Sequence, residues 1–173
     1  MMELGRIIEA ILFSSPKPVK LKALSKKLDG YTDDDIKQAL RELTEEYRNS
    51  DRSIEIIPVS GGYQMRTRME YREWVKRFVK ERSAGLTRPM LEALSLVAYK
   101  QPITKREIDT FRGVDSVRVI KQLIEKKLIE IAGRTEDVGK PIAFRTTDTF
   151  LEVYGLKGIE DLPTLKEIKE LEK

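Results

Sequence analysis

The chain contains two collinear copies of one sequence unit, and this internal duplication most limits how it can fold. Ile8–Ile11 (IEAI) recurs as Leu91–Leu94 (LEAL) 83 residues later, and Ile36–Leu40 (IKQAL) recurs as Ile120–Ile124 (IKQLI) 84 residues later. A proline and a glycine between these segments recur at the same spacings. The shared order predicts two small domains of about 80 residues, each with its own core, rather than one larger core.

Each copy has the pattern of three helices followed by a β-hairpin. In the first copy, apolar residues at helical spacing begin near Leu4, Leu21 and Thr32, and alternating residues from Ile54 to Thr67 predict two strands joined at a glycine turn. The second copy repeats this order, with its hairpin strands at 129–131 and 142–144. Three helices and a hairpin form a winged helix-turn-helix. The predicted fold is therefore α+β, mostly helical, with two tandem winged helix-turn-helix domains.

Small residues at 83–85 predict the boundary between the two copies. The N-terminal winged-helix domain is expected at residues 1–83, with an appended aromatic helix at about 70–82. The C-terminal winged-helix domain is expected at 84–158, and a charged tail at 159–173 carries Leu165, Ile168 and Leu171 in a loose or frayed helix. Helix starts are predicted at Thr32, at Thr104 with Glu107 as a capping box, and at Asp148.

The composition excludes most familiar catalysis. The 173 residues contain no Cys and no His, so zinc fingers, Ser-His-Asp and Cys-His sites, iron–sulfur clusters and disulfides are all excluded. No glycine-rich phosphate loop is present, and the longest apolar run is too short to span a bilayer. The expected protein is a cytoplasmic non-enzyme with no cofactor, no metal, no small-molecule substrate and no membrane partner.

The charges give weak support to DNA binding, which a winged helix first suggests. Lys and Arg number 33 against 29 Asp and Glu, and Asp33–Asp35 open the third helix of the first copy, where they would repel phosphate. A DNA-binding transcription regulator remains the alternative. Its contacts would come from the third helix and wing of the second copy: Arg118, Lys121, Gln122, Arg134, Lys140 and Arg145.

Apolar residues beyond the needs of a small core point instead to protein partners. The first helix carries more apolar positions than one face requires, and the appended helix carries two large aromatic residues. Aromatic anchors dominate interface energetics, although packing onto their own domain would also account for the two aromatics. The residues predicted for a dimer interface are Leu4, Ile8, Ile11, Leu12, Trp74 and Phe78.

The second copy resembles a known family along its whole length. The run Ala98–Ile108 (AYKQPITKREI), followed by Arg112–Ser116 (RGVDS), strongly resembles segregation and condensation protein B. The same resemblance continues through Gly133–Pro141, Thr146–Leu151, Gly155-Leu156 and Leu162-Pro163, in the same order. The first copy matches that family only in pattern.

The resemblance implies a non-catalytic accessory subunit of the SMC complex. Family members form homodimers, largely through the N-terminal winged helix, and bind the kleisin (ScpA), which bridges the SMC heads. The complex acts in chromosome condensation, segregation and partition during cell division, which would place the protein at the nucleoid, with DNA touched only weakly or indirectly.

Most residues of the family motif have a local backbone role. Gln101-Pro102 ends one helix, Thr104 caps the next, and Gly113 ends it. A smaller set has no evident local role, and these residues are predicted to contact the kleisin: Tyr99, Lys100, Arg112 and Tyr154.

Overall fold

The computed structural model describes residues 4–79, 85–164 and 167, and the chain forms two compact units, residues 1–83 and 84–173. The first unit packs three helices against an antiparallel sheet of order β1-β3-β2. A fourth helix follows the sheet. The elements are α1 (Leu4–Ser14), β1 (Val19–Lys20), α2 (Leu21–Lys27), α3 (Asp33–Asn49), β2 (Ile54–Val59), β3 (Gly62–Thr67) and α4 (Arg72–Phe78).

The core of the first unit lies between α1, α2, α3 and the hairpin. Apolar residues of α3 recur every three or four positions, which places them on one buried face. Gly62 lets β3 approach β1, because a Cβ at this position would lie 2.7 Å from the carbonyl oxygen of Val19. The buried residues are Ile8, Leu12, Leu24, Ile36, Leu40, Leu43, Tyr47 and Ile56.

The second unit repeats the architecture, with a sheet of order β4-β6-β5. Its elements are α5 (Arg88–Lys100), β4 (Ile103–Thr104), α6 (Lys105–Arg112), α7 (Val117–Glu125), β5 (Ile129–Arg134), β6 (Ile142–Thr146) and α8 (Asp148–Tyr154). The peptide bond between Gln101 and Pro102 is cis. The prediction of an α+β fold with tandem winged helices is confirmed.

The predicted caps of α3 and α6 are confirmed as full capping boxes. Thr104 accepts from the Glu107 amide while the Glu107 carboxylate accepts from Thr104, and Thr32 pairs with Asp35 in the same way. Gly113 ends α6 at a φ of 70°, a conformation that glycine adopts without a Cβ penalty.

Several local predictions need correction. Thr147, not Asp148, caps α8, since its hydroxyl accepts from the Phe150 amide. The appended helix is shorter than 70–82: a 3₁₀ turn at Met69–Tyr71 precedes α4, and Val79 is extended. Residues 80–82 lie outside the described residues.

The short strands β1 and β4 were not predicted, because a strand of two residues is too short to show the alternation of apolar and polar residues. Ile124, the last residue of the repeated segment in α7, is 38% exposed.

The start of the predicted charged tail contacts the second unit. Ile159–Asp161 form a 3₁₀ turn, and Leu162 packs against the core of that unit. Leu165, Ile168 and Leu171 lie outside the described residues. The ordered part of the second unit therefore extends at least to Pro163, whose carbonyl accepts a hydrogen bond from Tyr99.

Candidate protein-interaction surfaces

The predicted dimer residues of α1 separate into buried and partly buried positions. Ile8 and Leu12 are buried in the core of their own unit, so the prediction that they contact a partner is wrong. Leu4 and Ile11 are partly buried and pack against the same core. Phe13 at the end of α1 is 77% exposed. The apolar side chain of α1 that faces outward is therefore Phe13, which directly follows Leu12 and points to a different side of the helix.

A hydrogen bond between Glu9 and Tyr47 fastens α1 to α3. The Tyr47 hydroxyl donates to the Glu9 carboxylate, and Arg6 donates to the same carboxylate at 2.8 Å. These two contacts lower the pKa of Glu9, whereas burial and the bond to Glu9 raise the pKa of Tyr47. The contact ties the two helices together on one side of the apolar core.

The aromatic residues of α4 face outward. Trp74 is 61% exposed and Phe78 is 89% exposed, so the alternative in which both pack onto their own unit does not hold for this structure. The Arg77 guanidinium lies 4.5 Å from the centre of the Trp74 ring. Both aromatic side chains are therefore available to a partner.

In the second unit, the end of α5 forms a surface with the end of α6. The Lys100 ammonium lies 4.4 Å from the centre of the Phe111 ring, which is 56% exposed. The Tyr99 hydroxyl donates to the Pro163 carbonyl at 2.8 Å, and the ring remains half exposed. Phe111 was absent from the predicted site. The sequence signal that could have indicated Phe111 is the position of an aromatic residue at the polar end of a short amphipathic helix.

Arg112 has a structural environment that the sequence did not reveal. Its side chain is only 7% exposed, and Nη1 donates to the Ser116 hydroxyl at 2.8 Å. Nε lies 3.7 Å from the Glu92 carboxylate, within ion-pair distance but beyond a hydrogen bond. The predicted role of Arg112 as a partner contact is therefore corrected, because its donors point into the turn between α6 and α7.

Tyr154 lies on α8, with its ring centre 4.8 Å from that of Phe150. The ring is partly covered, and this burial raises the pKa of the Tyr154 hydroxyl. Nearly half of the side chain is still exposed. Tyr154 therefore combines a packed ring with an accessible edge.

A polar cluster closes the turn between α6 and α7. The Lys105 ammonium lies 2.5 Å from Asp109 and 2.6 Å from Asp115, and Asp109 also accepts from the Ser116 amide. The hydrogen bonds to Lys105 lower the pKa of both carboxyl groups and raise the pKa of Lys105. This cluster holds the turn of the helix-turn-helix in place.

We expect stability to be flat between about pH 5 and pH 8 and to fall below about pH 4. No Cys or His titrates in the upper range. The pKa values of Glu9, Asp109 and Asp115 lie below their ordinary values of 4.5, 3.8 and 3.8. The folded state therefore gains stability from these carboxylates above those values and loses it as they protonate.

Urea unfolding followed by circular dichroism at pH 8, 6.5, 5 and 3 measures this dependence. A large decrease of the urea midpoint between pH 8 and pH 5 would contradict the expectation, since no group described above changes charge there.

The predicted DNA contacts do not form one free basic surface. Arg145 pairs with Glu130 at 2.8 Å, and the Arg134 guanidinium donates to the Lys140 carbonyl. On α7, Arg118 and Lys121 are exposed and Gln122 is half-buried. Exposed Val114 and Val117, which were not predicted, lie in the turn before α7 and at its start. This mixture of apolar and self-paired groups suits a protein partner better than phosphate.

Among the residues that the structure describes, no helix combines the length and the apolar character needed to cross a membrane. Within the same residues, no cluster of three or more carboxylates is placed to hold a metal ion.

Comparison with known proteins places the whole chain in one family. The profile described as "Segregation and condensation complex subunit ScpB" matches residues 6–165. Segregation and condensation protein B from Syntrophotalea carbinolica is 44% identical over 99% of this chain and 87% of its own length. The protein of the same name from Alkaliphilus metalliredigens is 44% identical over 94% of this chain and 86% of its own.

A solved structure gives a similar sequence match. ScpB from Mycobacterium tuberculosis is 32% identical to this chain. The match covers 89% of this chain and 96% of the solved chain, with a TM-score of 0.42. The family profile spans both winged-helix units, including the first, whose sequence resembled the family only in pattern. The chain belongs to the segregation and condensation complex subunit ScpB family.

Proposed function

We propose that this protein is a homodimeric, non-catalytic subunit that binds a kleisin in an SMC complex and acts in chromosome condensation and segregation. The observation that carries the proposal is the family match over residues 6–165, which spans both winged-helix units. Such a subunit would work in the cytoplasm at the nucleoid. Any ATP hydrolysis would belong to another subunit.

The exposed aromatic residues support an adaptor role. Each unit presents large apolar side chains: Trp74 and Phe78 in the first unit suit the homodimer contact, and Phe111 in the second unit suits the kleisin. A kleisin segment that is disordered alone could fold across the surface around Phe111, and its ordering would provide specificity without an active site. We assign the kleisin contact to Tyr99, Lys100 and Phe111 on one surface, with Tyr154 as a further contact.

Light scattering of the purified protein, alone and with a purified kleisin fragment, tests the proposal. The expected results are the mass of a dimer for the protein alone and a larger, defined complex after the fragment is added. A monomer that does not bind the fragment would refute the proposal. Tight, sequence-dependent binding to one DNA duplex at physiological salt would instead support the regulator alternative.

Lys100→Ala is expected to weaken binding of the kleisin fragment roughly tenfold, because it removes an exposed cation beside an aromatic anchor. Lys121→Ala, the matched control on α7, is expected to leave the affinity unchanged. Calorimetric titration of both variants provides the comparison. Equal affinities for the two variants would show that the kleisin does not bind through Lys100 on the α5–α6 surface.

A further inference from the structure

We infer that, in the homodimer, helix α4 of each copy packs into the groove between α1 and α3 of the other copy. This inference rests on the proposed homodimer and names its contact. It joins two features of the first unit, a groove with an acidic rim and a basic aromatic helix.

The α1–α3 groove has an apolar floor and an acidic rim. Its volume is about 410 Å³, within the range of sites that bind a ligand or a peptide side chain. The floor and the rim come from α1, from α3 and from the residue before the cap of α3. The apolar lining consists of Leu4, Tyr31, Ala39 and Leu43, and the rim consists of Asp35, Glu42 and Glu46 together with Arg6 and Gln38.

Not all of the negative charge on this rim is neutralised. Asp35 is held by Thr32 in the capping box, and Glu46 lies 3.7 Å from Arg6 and 3.3 Å from Arg52. Glu42 accepts a hydrogen bond from the neutral amide of Gln38 at 2.9 Å. No ion pair to Glu42 occurs among the described residues. The rim is therefore complementary to a cationic partner.

Helix α4 has the opposite character. It carries three basic residues and one acidic residue in two turns. Lys76 lies 3.1 Å from Glu73, which leaves Arg72 and Arg77 as excess positive charge. Trp74 and Phe78 lie four residues apart, so both side chains project from the same face of the helix.

These two surfaces fit the helix-in-groove mode of recognition, in which an amphipathic helix inserts apolar anchors into an apolar floor. The aromatic face of α4 would cover the floor, while Arg72 and Arg77 would reach the acidic rim. A two-fold axis would generate the contact twice, because each copy supplies one helix and one groove. The dimer would be closed, because neither helix α4 nor either groove would remain free to bind a third copy.

The absence of cysteine from the sequence allows a clean crosslinking test. Gln38→Cys places a thiol in the groove, and Glu73→Cys places one on α4. The two single variants are co-expressed with different tags and treated with a short bismaleimide. We expect a covalent heterodimer that carries both tags. Lys22→Cys on α2, paired with Glu73→Cys, is the matched control and is expected to give none.

The outcomes separate this inference from the proposed function. A dimer by light scattering with no Gln38–Glu73 crosslink overturns the α4 exchange and leaves the homodimer standing. A double variant that crosslinks only within one chain shows that α4 covers its own groove, which also overturns it. A protein that is monomeric throughout refutes the homodimer itself.

Dissociation of the dimer provides a second readout. Trp74→Ala combined with Phe78→Ala is expected to raise the dimer dissociation constant about 100-fold, since the removed anchors would be central to the interface. Phe13→Ala, an exposed aromatic residue of α1 outside the groove lining, is the control and should change it less than threefold. A larger effect at Phe13 would place the interface on α1 and overturn the inference.

Discussion

Replacement of Arg68 by Met is expected to lower the free energy of unfolding of the first unit by about 3 kcal/mol. The Arg68 Nη2 group donates to the carbonyls of Tyr47, Arg48 and Ser50 at 2.7, 3.1 and 2.9 Å. These carbonyls belong to the last turn of α3 and to its cap, where the helix leaves acceptors unpaired and the dipole favours a cation. Met retains the length of the side chain but supplies no donor.

Arg66 provides a matched control two residues away on β3. It pairs with Glu55 at 2.9 Å, and both side chains are partly exposed, so Arg66→Met should cost less than about 1 kcal/mol. Because the chain contains two compact units, hydrogen exchange resolved by peptide is the appropriate measurement, since it reports on each unit by itself. Equal protection of α3 in the two variants would show that Arg68 does not cap that helix.

Arg112→Met is expected to destabilise the second unit by about 2 kcal/mol. The substitution removes the donor that satisfies the Ser116 hydroxyl, and Ser116 is fully buried at the start of α7. The buried end of the guanidinium also lies against Glu92. Loosening of this turn would separate α6 from α7, so any loss of kleisin binding by this variant would follow the loss of stability.

Lys100→Met is the control for Arg112, because Lys100 is an exposed cation whose described contact is the Phe111 ring. Its expected cost is under about 1 kcal/mol. Exchange protection of α6 and α7 in both variants tests the difference. If Arg112→Met kept full protection but lost the kleisin, Arg112 would be a partner contact, as its sequence pattern first indicated.

Local signals predicted the elements of the fold well. Thr104 and Glu107 are three residues apart before an apolar run, and they form the capping box that this spacing predicts. The duplication predicted two units from the recurrence of short motifs. Where the signal was weak, as at the end of α4 or the cap of α8, the boundaries moved by a few residues.

The candidate site was harder to predict from the sequence. Ile8 and Leu12 looked like surplus apolar residues because α1 has apolar groups on more than one side, yet both are needed to fill the core. Arg112 looked like a surface cation because no nearby residue explained it, and its partners come from the following turn and from α5. Trp74 and Phe78 are exposed because α4 does not pack these side chains onto its own unit, and their role at a dimer interface stays a prediction.

The sequence by itself determined the number of units, their α+β class and the starts of α3 and α6, because capping, glycine turns and apolar periodicity act over a few neighbouring residues. Only the tertiary structure decided which apolar and charged side chains remain available to a partner. Exposure depends on packing between residues far apart in the chain, as when Tyr47 of α3 meets Glu9 of α1. That packing buried Ile8, Leu12 and Arg112 and left the aromatic face of α4 exposed.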